Sequence, residues 1–139
     1  MGELRNVIVV TLGGRRCALE LRWVREVVSL GFVTTVPTAP AALSGVCNLH
    51  GAILPVLDAV GLLGDGAGPP ARQGDSAVVV EADGVLCALR VDQVDQVASL
   101  READGGVVDA GGRVLRLLEP GRLIRAAIDD AAGAAEGPA

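Results

Sequence analysis

Lysine and tyrosine are absent from this 139-residue chain, and tryptophan, phenylalanine, methionine and histidine occur once each. Too few rings are present to build the stacking platforms of a single-strand nucleic-acid binder. The net charge of −5 also argues against the clustered positive face that a phosphate backbone demands. No apolar run approaches the ~20 residues that span a bilayer, so no direct membrane insertion is expected. The N-terminus begins polar and enters a short strand-like run, unlike a secretion signal. Three cysteines cannot all pair, and their spacing fits no zinc site, so a reducing cytoplasm is the expected compartment. With no acid/base pair or metal cluster in view, the expectation is a protein that is not an enzyme and takes no cofactor or metal.

What is present favours strands. Half of the residues are hydrophobic, supplied as Val, Leu, Ala and Ile, and 19 glycines with 7 prolines provide turns. An internal repeat organises them. Residues 6–30 (NVIVVTLGGRRCALELRWVREVVSL) align without a gap on residues 76–100 (SAVVVEADGVLCALRVDQVDQVASL), with ten identities in 25 positions. In each copy a β-branched run meets a tight turn, Gly13-Gly14 or Asp83-Gly84. A second apolar run follows, beginning at Cys17 or Cys87. Such turns between such runs are strong hairpin signals. A second block recurs as Gly51–Leu63 and Gly112–Ile124. Its offset is 61 where the first block has 70, so the second unit is nine residues shorter between Leu100 and Gly112.

The expected fold is all-β: two five-stranded SH3-like or OB-like barrel subdomains with a short C-terminal helix. The first unit covers about residues 6–63, residues 64–75 form a linker, and the second unit covers about residues 76–124. The helix is placed at residues 119–128, with Pro120 in its first turn. The domain then ends near residue 128, and residues 129–139 read as a disordered tail. Gly64, Gly66 and Gly68 imitate a phosphate loop, but Pro69-Pro70 follow at once and no lysine is available, so they read as linker.

The order of motifs resembles the CheW-like domain family from about Asn6 to Ile124. Its most specific part runs from Pro37 to Asp58, with Pro37, Pro40, Gly45, Asn48, Leu49, Gly51, Pro55, Val56 and Asp58 in the family's positions. The resemblance implies two SH3-like barrels and a non-catalytic chemosensory adaptor. Such adaptors couple the cytoplasmic tip of a methyl-accepting chemoreceptor to a CheA-type histidine kinase. It also implies receptor binding at Asn48, His50 and Gly51, with His50 where the family has arginine. Val24, Glu26 and Val27 match positions near the main kinase contact. Only Arg101 to Val108 remains of the segment that carries the family's second kinase contact, so that contact is expected to be altered or lost. The alternative is an accessory β-barrel module that regulates a single partner without array scaffolding.

Trp23 stands out on physical grounds alone. Its repeat partner is Gln93, and its neighbours Arg22 and Arg25 pair with Asp92 and Asp95. A position that tolerates glutamine between charges is expected to be exposed, whereas Val24 and Val27, matched by valines, are expected to be buried. An exposed Trp flanked by arginines has the composition of an interface hot spot, so Trp23 joins the kinase-binding set. Cys17 and Cys87 read as small buried hydrophobes. Asp58 and Glu119, beside the starts of short helices, read as capping or dipole-stabilising acids rather than catalytic ones.

Overall fold

The computed structural model of the chain describes residues 2–36, 42–63 and 68–135, the last six by backbone only. Pro37 and Pro40, the start of the linker and residues 136–139 lie outside the described residues. The strands in chain order are β1 (Leu4–Leu12), β2 (Arg15–Glu20), β3 (Val24–Ser29), β4 (Val33–Thr34), β5 (Leu43–Leu49) and β6 (Ala52–Leu57). They continue as β7 (Ser76–Ala82), β8 (Val85–Val91), β9 (Gln93–Ala103), β10 (Gly106–Val108) and β11 (Val114–Leu118). A one-turn helix α1 (Ala59–Leu62) follows β6, and α2 (Pro120–Ala135) follows β11. The all-β class with a C-terminal helix is therefore borne out. The helix is longer than the sequence suggested, taking in residues 129–135 of the expected tail. That stretch is rich in alanine, the best helix former, and the helix continues through it.

The sheets do not follow the sequence units. One is a closed barrel in the order β1-β2-β11-β10-β9; the other has six strands in the order β3-β7-β8-β6-β5-β4. Each repeat has lent its first hairpin to the other. The short links explain the exchange. Three residues (Leu21–Trp23) separate β2 from β3, and Asp92 alone separates β8 from β9. Lying antiparallel beside β1 of its own hairpin, β3 would run parallel to β2, and a return of that kind needs a crossover of about a dozen residues. A three-residue link permits only straight passage into the neighbouring sheet.

The exchange preserves the repeat register for register. β1 pairs with β9 and β7 with β3, each antiparallel with one irregularity. β2 runs parallel to β11 with Ala18 opposite Leu117, and β8 runs parallel to β6 with Ala88 opposite Val56. The nine-residue difference shows at the seams. β9 turns directly into β10 through Asp104-Gly105 and closes the barrel. In the other sheet β4 follows β3, and among the described residues no pairing joins β3 to β4 or β5.

Residues alternate between two interiors. Val7, Val9, Ala18, Val107 and Leu115 fill the barrel. Leu54, Val56, Ala77, Val79 and Ala88 fill the other sheet. The intervening residues Ile8, Val10, Cys17, Leu19, Val78, Val80, Cys87 and Leu89 form the layer between the sheets, where Leu123 and Ile124 of α2 join them. A strand buried on both faces explains why both first strands read as continuous apolar runs. Gly45 lets β4 come close: a Cβ there would sit 2.5 Å from the Thr34 carbonyl oxygen and 2.9 Å from Val33 Cγ1.

Candidate functional site

The tight turn between β5 and β6 is built by three residues. Leu49 faces Ala52 across the strands, leaving His50-Gly51 as a two-residue loop. Both have positive φ, 53° and 87°, as a type I′ hairpin turn requires. Asn48 Oδ1 accepts a hydrogen bond from the Gly51 amide at 3.1 Å and fixes the loop. The imidazole therefore projects outward, with its side chain 75% exposed. Its Nε2 lies 2.9 Å from Glu26 Oε1 on β3.

That contact joins the two residue sets that the sequence kept apart. Asn48, His50 and Gly51 lie on the turn, and Glu26 belongs to the β3 set with Val24 and Val27. Val24 is half-buried against the central core. Val27 is 46% exposed, which overturns the expectation that it is buried. The bulge between Val24 and Glu26 sets Val27, opposite Val78, on the same face as Val24, opposite Val80, but Val27 lies on the edge strand and does not pack against the central core. Val97, its repeat partner on β9, is 64% exposed as well. The valine identity thus marked an exposed position in both halves, and sequence reasoning read it as core.

Trp23 ends the short turn that leads into β3 and is half-buried rather than fully exposed. The Arg22 guanidinium lies 4.6 Å from its ring centroid, a cation–π contact. Arg22 is in turn 2.9 Å from Glu20, and Arg25 is 3.0 Å from Glu81. Trp23 lines a cleft of about 390 Å3 with Ala82, Asp83 and the start of α2 at Pro120 and Gly121. It therefore sits, half-open to solvent, at a seam between elements of the two sheets.

The remaining candidates have structural places. Cys17, Cys47 and Cys87 are buried, and none of them forms a disulfide. Burial pushes the Cys87 thiol up to about 12 and raises that of Cys47, the reverse of what a nucleophile needs. Asp58 caps α1, its Oδ1 accepting from Gly61 N at 3.2 Å, and its Oδ2 accepts from Gly68 N at 2.9 Å. Glu119 precedes α2 and pairs with Arg122 at 3.0 Å. Among the described residues no three His, Cys, Asp or Glu side chains come together as metal ligands. No helix among them is long and apolar enough to cross a membrane.

Comparison with known proteins places this geometry. A family model described as CheW-like domain matches residues 6–127. Over 100 residues the chain is 30% identical to the chemotaxis protein CheW of Rhizobium meliloti, covering 72% of this chain and 64% of that protein. Over 99 residues it is 30% identical to a probable chemotaxis protein CheW of Rhizobium etli, covering 70% and 63%. The matches thus span just under two thirds of those relatives' lengths. Among solved structures, the scaffolding protein TtCheW from Thermoanaerobacter tengcongensis matches with a TM-score of 0.62 and 30% identity, over 72% of this chain and 68% of that one.

Proposed function

The chain belongs to the CheW-like domain family, and from that premise we propose that it is a non-catalytic chemosensory adaptor. It couples a methyl-accepting chemoreceptor's cytoplasmic tip to a CheA-type histidine kinase, in the cytoplasm and recruited to receptor arrays. One observation supports this reading above the rest: His50, from the set that would bind the receptor, lies 2.9 Å from Glu26, from the set that would bind the kinase. An adaptor works by holding two partners at once, which raises the effective concentration of each for the other. Two contiguous sets that share a side-chain pair give such a protein a route for coupling: a partner that engages His50 takes it from Glu26.

The tight Asp104-Gly105 turn between β9 and β10 supports a second kinase contact that is altered or lost, because little chain remains there to make one. The same turn favours the second reading, a module that regulates one partner without scaffolding. Reconstitution with the cognate receptor tip and kinase separates the two. A ternary complex supports the adaptor; binding to one partner alone supports the module. A folded protein that binds neither rejects both.

A further inference from the structure

The repeat shows what one half lacks. On the six-stranded sheet, α2 lies along a groove of about 210 Å3 lined by Pro55, Val85, Cys87, Ile124 and Ile128, apolar throughout. The repeat counterparts of Pro55, Val85 and Cys87 are Arg116, Arg15 and Cys17. These three line a larger cleft of about 450 Å3 on the barrel, with Leu63 where the other half has Ile124. Exposed apolar side chains correspond too: Ile53 is 65% exposed and Val114 is 57% exposed. The helices do not correspond in length. α1 has four residues, whereas α2 continues to Ile128 and beyond. Among the described residues, nothing lies in the barrel's cleft as the second turn of α2 lies in its counterpart.

The charge at this cleft also differs from the rest of the surface. Among the described residues, Arg15, Arg16, Arg113 and Arg116 line it with a single carboxylate, Asp109, in a chain of net charge −5. Asp109 is occupied: Oδ1 accepts from the Gly111 and Arg113 amides at 2.9 Å, and Oδ2 lies 3.4 Å from Arg16. Elsewhere Arg5, Arg22, Arg25, Arg90, Arg122 and Arg125 each face a carboxylate within 2.7–3.5 Å. Among the described residues, the guanidinium groups of Arg113 and Arg116 have none. A second cleft of about 550 Å3 shares Leu63 and Arg116 with the first and prolongs it along β11 towards Arg122.

We propose that this trough docks an amphipathic helix of a partner protein. Its apolar face takes the position that α2 fills on the other half, and its flanking carboxylates meet Arg113 and Arg116. An apolar floor with a cationic rim fits the two faces of such a helix. An extended polyanion would find little apolar complement here and would be repelled by the rest of the chain. The inference rests on the fold and the repeat, and stands whichever partners the β3 surface binds.

The test uses the full chain and, as probe, a labelled peptide of residues 119–135 carrying R122E and R125E, an acidic copy of α2. Binding is expected, with amide shifts at Leu63, Val114 and Arg116, and it weakens in high salt. The double variant R113E/R116E loses about tenfold in affinity, as reversing two exposed charges should. Both side chains are exposed, so its melting temperature stays near that of the parent. R5E, a charge reversal at the far end of β1, leaves the affinity unchanged. Three outcomes overturn the proposal: no binding of the peptide, equal binding by R113E/R116E, or shifts confined to the groove under α2. Arginine-dependent binding of duplex DNA or anionic vesicles with no binding of the peptide overturns it in favour of those ligands.

Discussion

Glu26 Oε1 and His50 Nε2 meet at 2.9 Å, although 24 residues and two further strands separate them in the chain. The contact is exposed, so its worth to folding is small, about 0.2–1 kcal/mol at most. Its consequence lies in what each side chain has free for a partner.

His50→Arg is expected to strengthen binding to the receptor tip, because a guanidinium offers a permanent charge and a fork that imidazole lacks. Glu26 will compete for that new charge. The gain should therefore be larger in the double variant His50→Arg/Glu26→Gln than in His50→Arg alone. Calorimetric titration with the receptor tip measures both, and weaker binding by His50→Arg removes the turn from the receptor site.

Trp23→Ala is expected to lower kinase affinity by about tenfold or more, the cost typical of an aromatic hot spot. The ring is only half-buried and stacks on Arg22, so the loss of fold stability should be smaller than for a core aromatic. Surface plasmon resonance against the kinase, with a melting curve on the same sample, separates the effects. Unchanged kinase affinity in a folded variant would falsify the hot-spot assignment.

Acid should loosen the anchor between the start of β7 and β8. Burial acts to raise the Asp75 carboxyl, but hydrogen bonds from the Arg90 side chain and the Arg72 amide, with the charges of both arginines, hold it below the ordinary carboxylate value. A depressed folded value stabilises the fold above the unfolded value, and that contribution is lost as pH falls through the folded one. The Asp75–Arg90 contribution is thus expected to decline as the pH falls below about 4. Asp75→Asn should flatten this limb in denaturant titrations against pH, and an unaltered limb would assign it to other groups.

Alkali should weaken the fold through Cys87. Its folded value of about 12 lies above the ordinary thiol value of 9.0. A raised value leaves the contribution intact below the ordinary one, and the fold loses it as pH rises towards the folded one. Stability is therefore expected to decline from about pH 9 upward. The same burial should keep Cys87 from iodoacetamide in the native protein and release it on unfolding, as followed by mass spectrometry. Rapid native labelling would contradict the buried position.

Much of this was legible before any coordinates. The in-phase glycines at 14 and 84 and the Cys-Ala-Leu triplets announced the paired hairpins, since turn chemistry and two-residue alternation act over a few residues. Val27 shows where reading by identity failed: the repeat kept a valine at a position that is exposed in both copies. Arg113 and Arg116 gave no signal as a site. Their cleft forms only where β2 and β11 run side by side, a parallel pairing across almost a hundred residues.

The sequence by itself determined the number of hairpins, their turns and the apolar faces of their strands, because those follow from local sterics and alternation. Tertiary structure alone decided which hairpin each β3-like strand would join. The two hairpins are near copies, so local preference cannot choose between them. The choice falls to the length of the links and to the closure of each sheet, and that same choice set Glu26 beside His50.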